Sequence, residues 1–283
     1  MKTKALSGLD MARTLRWYED KQQRLLEMIP FAISSREKIP CSLRHAKFLQ
    51  LTRRDLTALW LLFPEEARRR SILRRIDGKP ATWFHRDSLA SEIGPFTTVK
   101  PAEALSLTAL VPSYTKYRRF KKSGRLFCDI HLFNIHSLTC PPAVQHIVHA
   151  EGFVHEVAHS IIAPAFYNNG YLLKLPSGEI VNGFDWLGMV FGNIAEKHSP
   201  ISHYAGVYRN AEHSFKKNAG NLLTSISEEM AECIAALLLG FVFCHDKWRQ
   251  FDPFYDRPKI KQLVHDFLHA EHILASAPIA ESV

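Results

Sequence analysis

Cysteine is scarce in this chain and nothing in its spacing pairs it. The five residues, Cys41, Cys128, Cys140, Cys233 and Cys244, are an odd number with no Cys-x-x-Cys among them. That pattern reads as free thiols in a reducing compartment rather than a disulfide framework. Long apolar runs are also missing. The best, CIAALLLGFVFC at 233–244, is too short for a membrane span and follows several glutamates. The opening stretch, MKTKALSGLDMARTLRWYEDKQQRLLEMI, has no uninterrupted apolar region of the kind a secretory signal carries. These absences predict a soluble chain made in the cytoplasm. An effector delivered to a host cell without a cleavable signal peptide would look the same. No internal repeat, low-complexity tract or clear linker divides the text.

What is present is an ordinary globular composition. Of 283 residues, 46% are apolar and 23% charged, enough for a sizeable core and too apolar for disorder. The net charge of +8, from 36 Lys and Arg against 28 Asp and Glu, favours acidic partners without choosing among nucleic acid, anionic lipid and protein. Two basic clusters stand out, Arg68 to Arg75 and KYRRFKKSGR at 116–125. The first could be a nucleic-acid or membrane face, and the second mixes aromatic and basic residues as single-strand binders do. A solvated helix surface accounts for such runs equally simply.

Periodicity predicts helices at 10–30, two more across 51–76 broken at Pro64, one from Pro142 to about Phe166 that Pro164 ends, one at 225–243, and an amphipathic one at 258–273. Residues 80–115 hold short apolar stretches suited to strands. RLFCDIHLFNI (125–135) alternates as a strand, YLLKLPSGEIVNG (171–183) reads as a hairpin, and 184–220 is loop-rich with one short helix near Asp185–Glu196. Helices and a few strands not in βα alternation predict an α+β fold. The expected division is a basic, mostly helical region at 1–120, which selects substrate or wraps the rest, and a second domain at 121–283.

One helix carries the chemistry. In GFVHEVAHSII (152–162), His155, Glu156 and His159 lie among apolar neighbours, where ionisable groups are costly unless paired or metal-bound. Residues four apart share a helix face, so both rings can offer a nitrogen to one point with Glu156 beside it. This is the His-Glu-x-x-His arrangement, in which two histidines bind Zn²⁺ and the glutamate deprotonates water. The competing reading is a chance match in a chain of 15 histidines, with both rings hydrogen-bonded in a core. His146 and His149 point to other faces of the helix and read as structural.

A catalytic zinc usually has three protein ligands and one open position. Ile162 and Ala165 stand where the His-Glu-x-x-His-x-x-Gly-x-x-His continuation would place Gly and His, so the third ligand comes from elsewhere. Glu179 falls in an apparent turn and is a poor candidate. SISEEMAE (225–232) is better: Glu228 and Glu232 share a face of a largely apolar helix. Glu228 is the preferred ligand and Glu232 a partner for a ligand histidine. Glu229 and Glu232 remain alternatives for the metal. Ser225-x-x-Glu228 could instead be a capping box, which would leave Glu232 unexplained.

HEVAHS, then SHYAGVYRN (202–210), then SEEMAECIAALLLG (227–240) together resemble the gluzincin metalloproteases, most closely the anthrax lethal-factor-like peptidase group. The resemblance covers about residues 150–240. It implies a zincin-like fold with a small mixed sheet whose edge strand lies beside the catalytic helix. It also implies His155, His159 and Glu228 as zinc ligands, Glu156 as general base, Tyr204 as the phenol steadying the oxyanion, and Glu232 as the second carboxylate of the glutamate helix. The tyrosine loop lies farther from Glu228 than the family pattern, which leaves Tyr208, His203 and His213 as alternatives to Tyr204. In such peptidases a strand beside the helix pairs with extended substrate, and CDIHLFN (128–134) is the candidate.

The expected function is a zinc-dependent endopeptidase acting on a protein substrate, selected in part by an acidic surface. Two other classes stay open: a basic nucleic-acid-binding protein with structural or no zinc, and a zinc hydrolase of a non-peptide substrate.

Overall fold

The computed structural model describes residues 39–49, 51–80, 113–120, 122–134, 142–168, 170–202, 205–206, 209, 219–242 and 252–273. The helix expected at 10–30, the strands expected between 81 and 112, Cys140 and Cys244 lie outside them. The described chain is mixed helix and strand, consistent with an α+β arrangement. Its elements run β1 (Ser42–Arg44), α1 (Arg53–Leu61), α2 (Glu65–Arg70), β2 (Leu73–Pro80), β3 (Ser113–Arg119), β4 (Leu126–Asn134) and α3 (Pro142–Tyr167). Then come β5 (Leu172–Lys174), β6 (Ile180–Asn182), a helical stretch described below, α4 (Ala219–Leu239), α5 (Pro258–Leu268) and β7 (Glu271–Ile273).

The chain divides into two compact units, neither of them contiguous. One comprises Met1–Leu61, Arg74–Lys116 and Asp129–Phe153; the other comprises Leu62–Leu73, Tyr117–Cys128 and Val154–Val283. A four-stranded sheet has the order β1-β2-β4-β3, with β1 and β2 parallel and in register from Ser42↔Arg75 to Arg44↔Asp77. Strand β4 is therefore an inner strand, and among the described residues β3 forms the edge. This corrects the expectation that 128–134 would pair with substrate, because both its sides are already hydrogen-bonded.

Within the first unit, β2 presses against the turn after β1. A Cβ on Gly78 would sit 2.5 Å from the His45 carbonyl oxygen, so only glycine permits this approach. The arginines of β2 are committed internally. Arg74 donates to both oxygens of buried Asp129, at 3.0 and 2.7 Å, and Arg75 donates to it at 2.6 Å.

In the second unit, Pro64 does separate two helices, with α2 starting directly after it. Helix α2 stops at Arg70 and β2 begins at Leu73, however, so 73–76 are strand rather than helix. The buried Arg70 explains the stop. Its guanidinium donates to the carbonyls of Phe267 and Leu268, supplying donors to the C-terminal carbonyls of α5, and stacks over the Phe267 ring at 4.6 Å. Burial lowers its pKa to about 10, still leaving it charged at neutral pH. The basic run 68–75 is thus largely consumed by internal pairing, not displayed as a solvated face.

Helix α3 continues through Pro164 to Tyr167. Proline lacks the N–H that would have bonded the Ser160 carbonyl. The N–H of Ile72 takes that carbonyl at 3.1 Å, and the Cys128 N–H then bonds the Ile72 carbonyl at 2.9 Å. A residue just before β2 thus satisfies the break, and the helix has no reason to end there. The hairpin β5–β6 forms as its turn chemistry predicts, with Gly178 at φ 89. Strand β7 adds to the other side of β5, so residues 271–273 are extended and not the end of α5. Between β6 and Glu196 the chain is helical, with a π-helical turn at Trp186–Gly192 flanked by Gly183–Asp185 and Asn193–Ala195.

The core of this unit draws on Val157, Ala158 and Ile161 of α3, Met230, Ile234 and Ala235 of α4, and Ile260, Val264 and Phe267 of α5, all essentially inaccessible. Gly192 lets the π turn pack closely on α4, since a Cβ there would lie 2.9 Å from the Ile226 Cδ1. No described helix is long and apolar enough to cross a membrane.

Candidate metal centre

Two helices of the second unit build the site. Every residue of α3 from Gly152 to Ala165 is buried, and so is the stretch Glu229–Ala236 of α4. Polar groups on these faces have no bulk water to turn to, so they must satisfy one another or a ligand.

His155 Nε2 and His159 Nε2 lie 3.0 Å apart, and Glu228 Oε2 lies 3.2 Å from the first and 3.3 Å from the second. The three atoms form a nearly equilateral triangle. A tetrahedral ion with ligands at about 2.0–2.1 Å has edges of about 3.3–3.4 Å, so this triangle matches one face of such a polyhedron. A metal ion could be held by these three groups. Helix α4 begins at Ala219, two turns before Ser225, so Glu228 is interior to the helix and has no role as an N-terminal cap.

The opposite nitrogens of the two rings are also occupied. His155 Nδ1 lies 2.8 Å from Glu232 Oε1, and His159 Nδ1 lies 3.1 Å from Ser227 Oγ. With the ring protons on the Nδ1 side, both Nε2 lone pairs face Glu228, a tautomer pattern that suits a cation at the centre. Charge argues the same way. Burial opposes a charge on His155, but contacts with Glu228 and Glu232 outweigh it and hold its pKa well above that of a free imidazole. Burial would raise the Glu228 carboxyl, yet the charge of His159 and the hydrogen bonds from both rings hold it well below the usual range. The cluster therefore demands positive charge, as protons or as a metal.

Glu229 faces elsewhere. Its Oε1 accepts from the Ile201 N–H at 2.9 Å and its Oε2 pairs with Arg209 at 2.9 Å. Arg209 also donates to the His198 carbonyl, and the buried Arg257 to the Ser199 carbonyl, so the segment 198–202 is tied down beside α4. Burial raises the Glu229 carboxyl despite these cations. Glu229 is thus an anchor, and Glu228 occupies the ligand position between the rings.

Glu156 is buried on α3 beside His155. Glu179 is exposed in the β5–β6 turn and takes no part. Tyr204, Tyr208, His203 and His213 lie outside the described residues. His149 is buried, and burial followed by the charge of His146 lowers its pKa to about 4, which fits a neutral structural ring. Among the described residues, no exposed thiol lies on the two helices. Cys233 is buried within α4 and pushed well above its ordinary pKa, chiefly by burial.

Two residues at the site escaped the sequence reading. Ser227 is one, and its only signal was adjacency to Glu228. Tyr117 of β3 is the other. Its hydroxyl donates to the His159 carbonyl at 3.4 Å, and its ring packs at 5.4 Å from Tyr167. Arg119, on the same strand, donates to the Tyr167 carbonyl at 2.9 Å, so the C-terminal end of β3 lies beside the C-terminal half of α3. Burial first, then the neighbouring Cys128, Tyr167, Glu156 and Glu228, raise the Tyr117 phenol well above its ordinary pKa.

Compared with protein-family models, with curated proteins and with solved structures, the chain matches none, so its reading rests on the geometry above.

Proposed function

We propose that this chain is a zinc-dependent endopeptidase of gluzincin type, with His155, His159 and Glu228 as ligands and Glu156 as general base. The observation that carries the reading is the triangle of Nε2, Nε2 and Oε2 atoms at 3.0–3.3 Å, buried and backed by Glu232 and Ser227. A bound Zn²⁺ would lower the pKa of water to about 7 and polarise the carbonyl that the water attacks. The protein's own groups do the rest. Glu232 and Ser227 hold the rings so that both Nε2 atoms stay available. Glu156 takes the proton from the attacking water and returns it to the departing amine, a role that contributes about 10²–10⁴ in rate.

The nucleic-acid alternative loses support from the internal pairing of Arg70, Arg74 and Arg75.

The test is the pair wild type and Glu156→Gln. Both should carry one zinc per chain, and only the wild type should generate new N-termini in a protein extract. Equal activity in the two proteins, or a wild type that binds no zinc, would refute the reading.

A further inference from the structure

We propose that the turn between β3 and β4 docks this chain on a membrane surface rich in anionic phospholipid. The proposal is independent of the peptidase reading and concerns a basic cluster that internal pairing does not consume. Residues 116–125 carry six cations, and no acidic residue occurs from 104 to 128. The turn and its flanks, 117–128, belong to the second unit together with Tyr167. The turn closes on itself. The Phe120 N–H donates to the Arg125 carbonyl at 3.0 Å and the Gly124 N–H to the Phe120 carbonyl at 2.8 Å, with Gly124 at φ 64. Each described residue from 118 to 125 is exposed, so the turn projects into solvent instead of lying along the body.

The charge of this tip is not cancelled. Arg119 donates to the carbonyls of Gly124 and Tyr167, at 3.1 and 2.9 Å, which fixes the guanidinium without neutralising it. Among the described residues no carboxylate pairs with Lys122 or Arg125. Arg74 and Arg75 are the opposite case, both committed to Asp129. Amid the cations stands Phe120, 45% exposed, its ring 4.4 Å from that of the buried Phe127. The ring is therefore braced against the core while part of it is held out in water. Tyr167, 50% exposed, is brought beside it by the Arg119 bond. An apolar ring that enters the headgroup layer, a phenol at its boundary and cations against the negative surface are what interfacial binding needs. Single-stranded nucleic acid calls for a groove lined by successive aromatic platforms, and a projecting tip offers none.

The experiment is co-sedimentation of the full chain with vesicles of phosphatidylcholine, alone or mixed with phosphatidylserine. The expected result is sedimentation with the mixed vesicles only, weakening as added salt screens the surface charge. The double variant Lys122→Ala with Arg125→Ala should partition about 10–30-fold less, at about fivefold for each cation lost, whereas Lys122→Arg with Arg125→Lys should match wild type. Phe120→Ala should partition about 5–10-fold less and Phe120→Leu should lose little, because the apolar surface is what enters the lipid. Circular dichroism of each variant checks that it is folded. Equal binding to both kinds of vesicle, or equal partitioning of wild type and the folded alanine variants, would overturn the proposal. Binding of a single-stranded oligonucleotide that the same variants lose, with no vesicle binding, would overturn it too and assign the tip to nucleic acid. Should the alanine variants fail to fold, the salt titration of wild type decides: binding to mixed vesicles that does not weaken with salt would refute docking by charge.

Discussion

Among the described residues, each of the two units holds a cluster of histidine and carboxylate, and the one formed by His155, His159 and Glu228 could hold a metal ion. In the first unit, Asp77 is buried, with His45 Nδ1 at 2.6 Å from one oxygen, and Lys79 Nζ at 2.9 Å and His131 Nδ1 at 3.8 Å from the other. In the second unit, His155, His159 and Glu228 converge at 3.0–3.3 Å with no lysine or arginine paired to Glu228 among the described residues. Residue types are nearly the same in both. What differs is the source of positive charge. Lys79 fills the cation's place beside Asp77, and burial leaves His131 neutral, its pKa lowered to about 4. Around Glu228 the positive charge could come from protons on the two rings or from a metal ion held between them.

The sharpest way to break this contrast is to remove one group from each cluster and measure metal. Alanine at His155, His159 or Glu228 should abolish stoichiometric zinc, measured by elemental analysis after gel filtration. Alanine at His45 or His131 should leave zinc at one per chain. Zinc retained by Glu228→Ala would shift the ligand role to another carboxylate and dissolve the distinction drawn here.

A finer test concerns the groups behind the rings. Glu232 faces His155 Nδ1 with a charge, whereas Ser227 faces His159 Nδ1 with a neutral hydroxyl. Glu232→Gln should weaken zinc binding by about 10–100-fold, the range for a partner that orients a ligand. Ser227→Ala should cost less, about 3–10-fold, as a neutral hydrogen bond does. Competition with a fluorescent chelator reads both. Equal losses would mean that the charge on Glu232 contributes nothing beyond ring orientation.

Much of the second unit was legible because its signals are local. Apolar residues around His155 and His159 mark a buried helix, and a period of four puts the rings on one face. The hairpin at 171–183 carries its own glycine, and the glutamates of 228–232 stand out inside an apolar run. What the sequence could not disclose depends on partners distant along the chain. Pro164 reads as a helix end until the Ile72 N–H is known to use the Ser160 carbonyl. Arg70, Arg74 and Arg75 read as a solvated or ligand-binding face until the α5 carbonyls and Asp129 take their donors. Strand β4 has the alternation of any half-buried strand, and only the sheet order shows that β3 covers the side where substrate was expected. Tyr117 was hidden in the same way, inside a basic cluster whose text pointed toward nucleic acid.

The smallest effect tests the other half of the comparison. If Lys79 stands in for a cation at Asp77, Lys79→Met should destabilise the protein without changing its zinc content. Lys79 is partly exposed and Asp77 keeps its His45 contact, so the cost should be about 1 kcal/mol at neutral pH, read by chemical denaturation. The pH dependence has a definite sign. Burial alone would raise the Asp77 carboxyl, but the hydrogen bonds from His45 and Lys79 and the Lys79 charge overcome it and lower the pKa below its ordinary value of 3.8. A carboxyl depressed in the folded state binds fewer protons there than in the unfolded chain. Its stabilising contribution is therefore complete above its unfolded pKa and is lost as pH falls through the lower folded value. Wild type and Lys79→Met should differ most at neutral pH and converge in acid below about pH 4. A gap that persists in acid would mean that Lys79 contributes through its methylene packing, and that Asp77 is balanced by His45 alone.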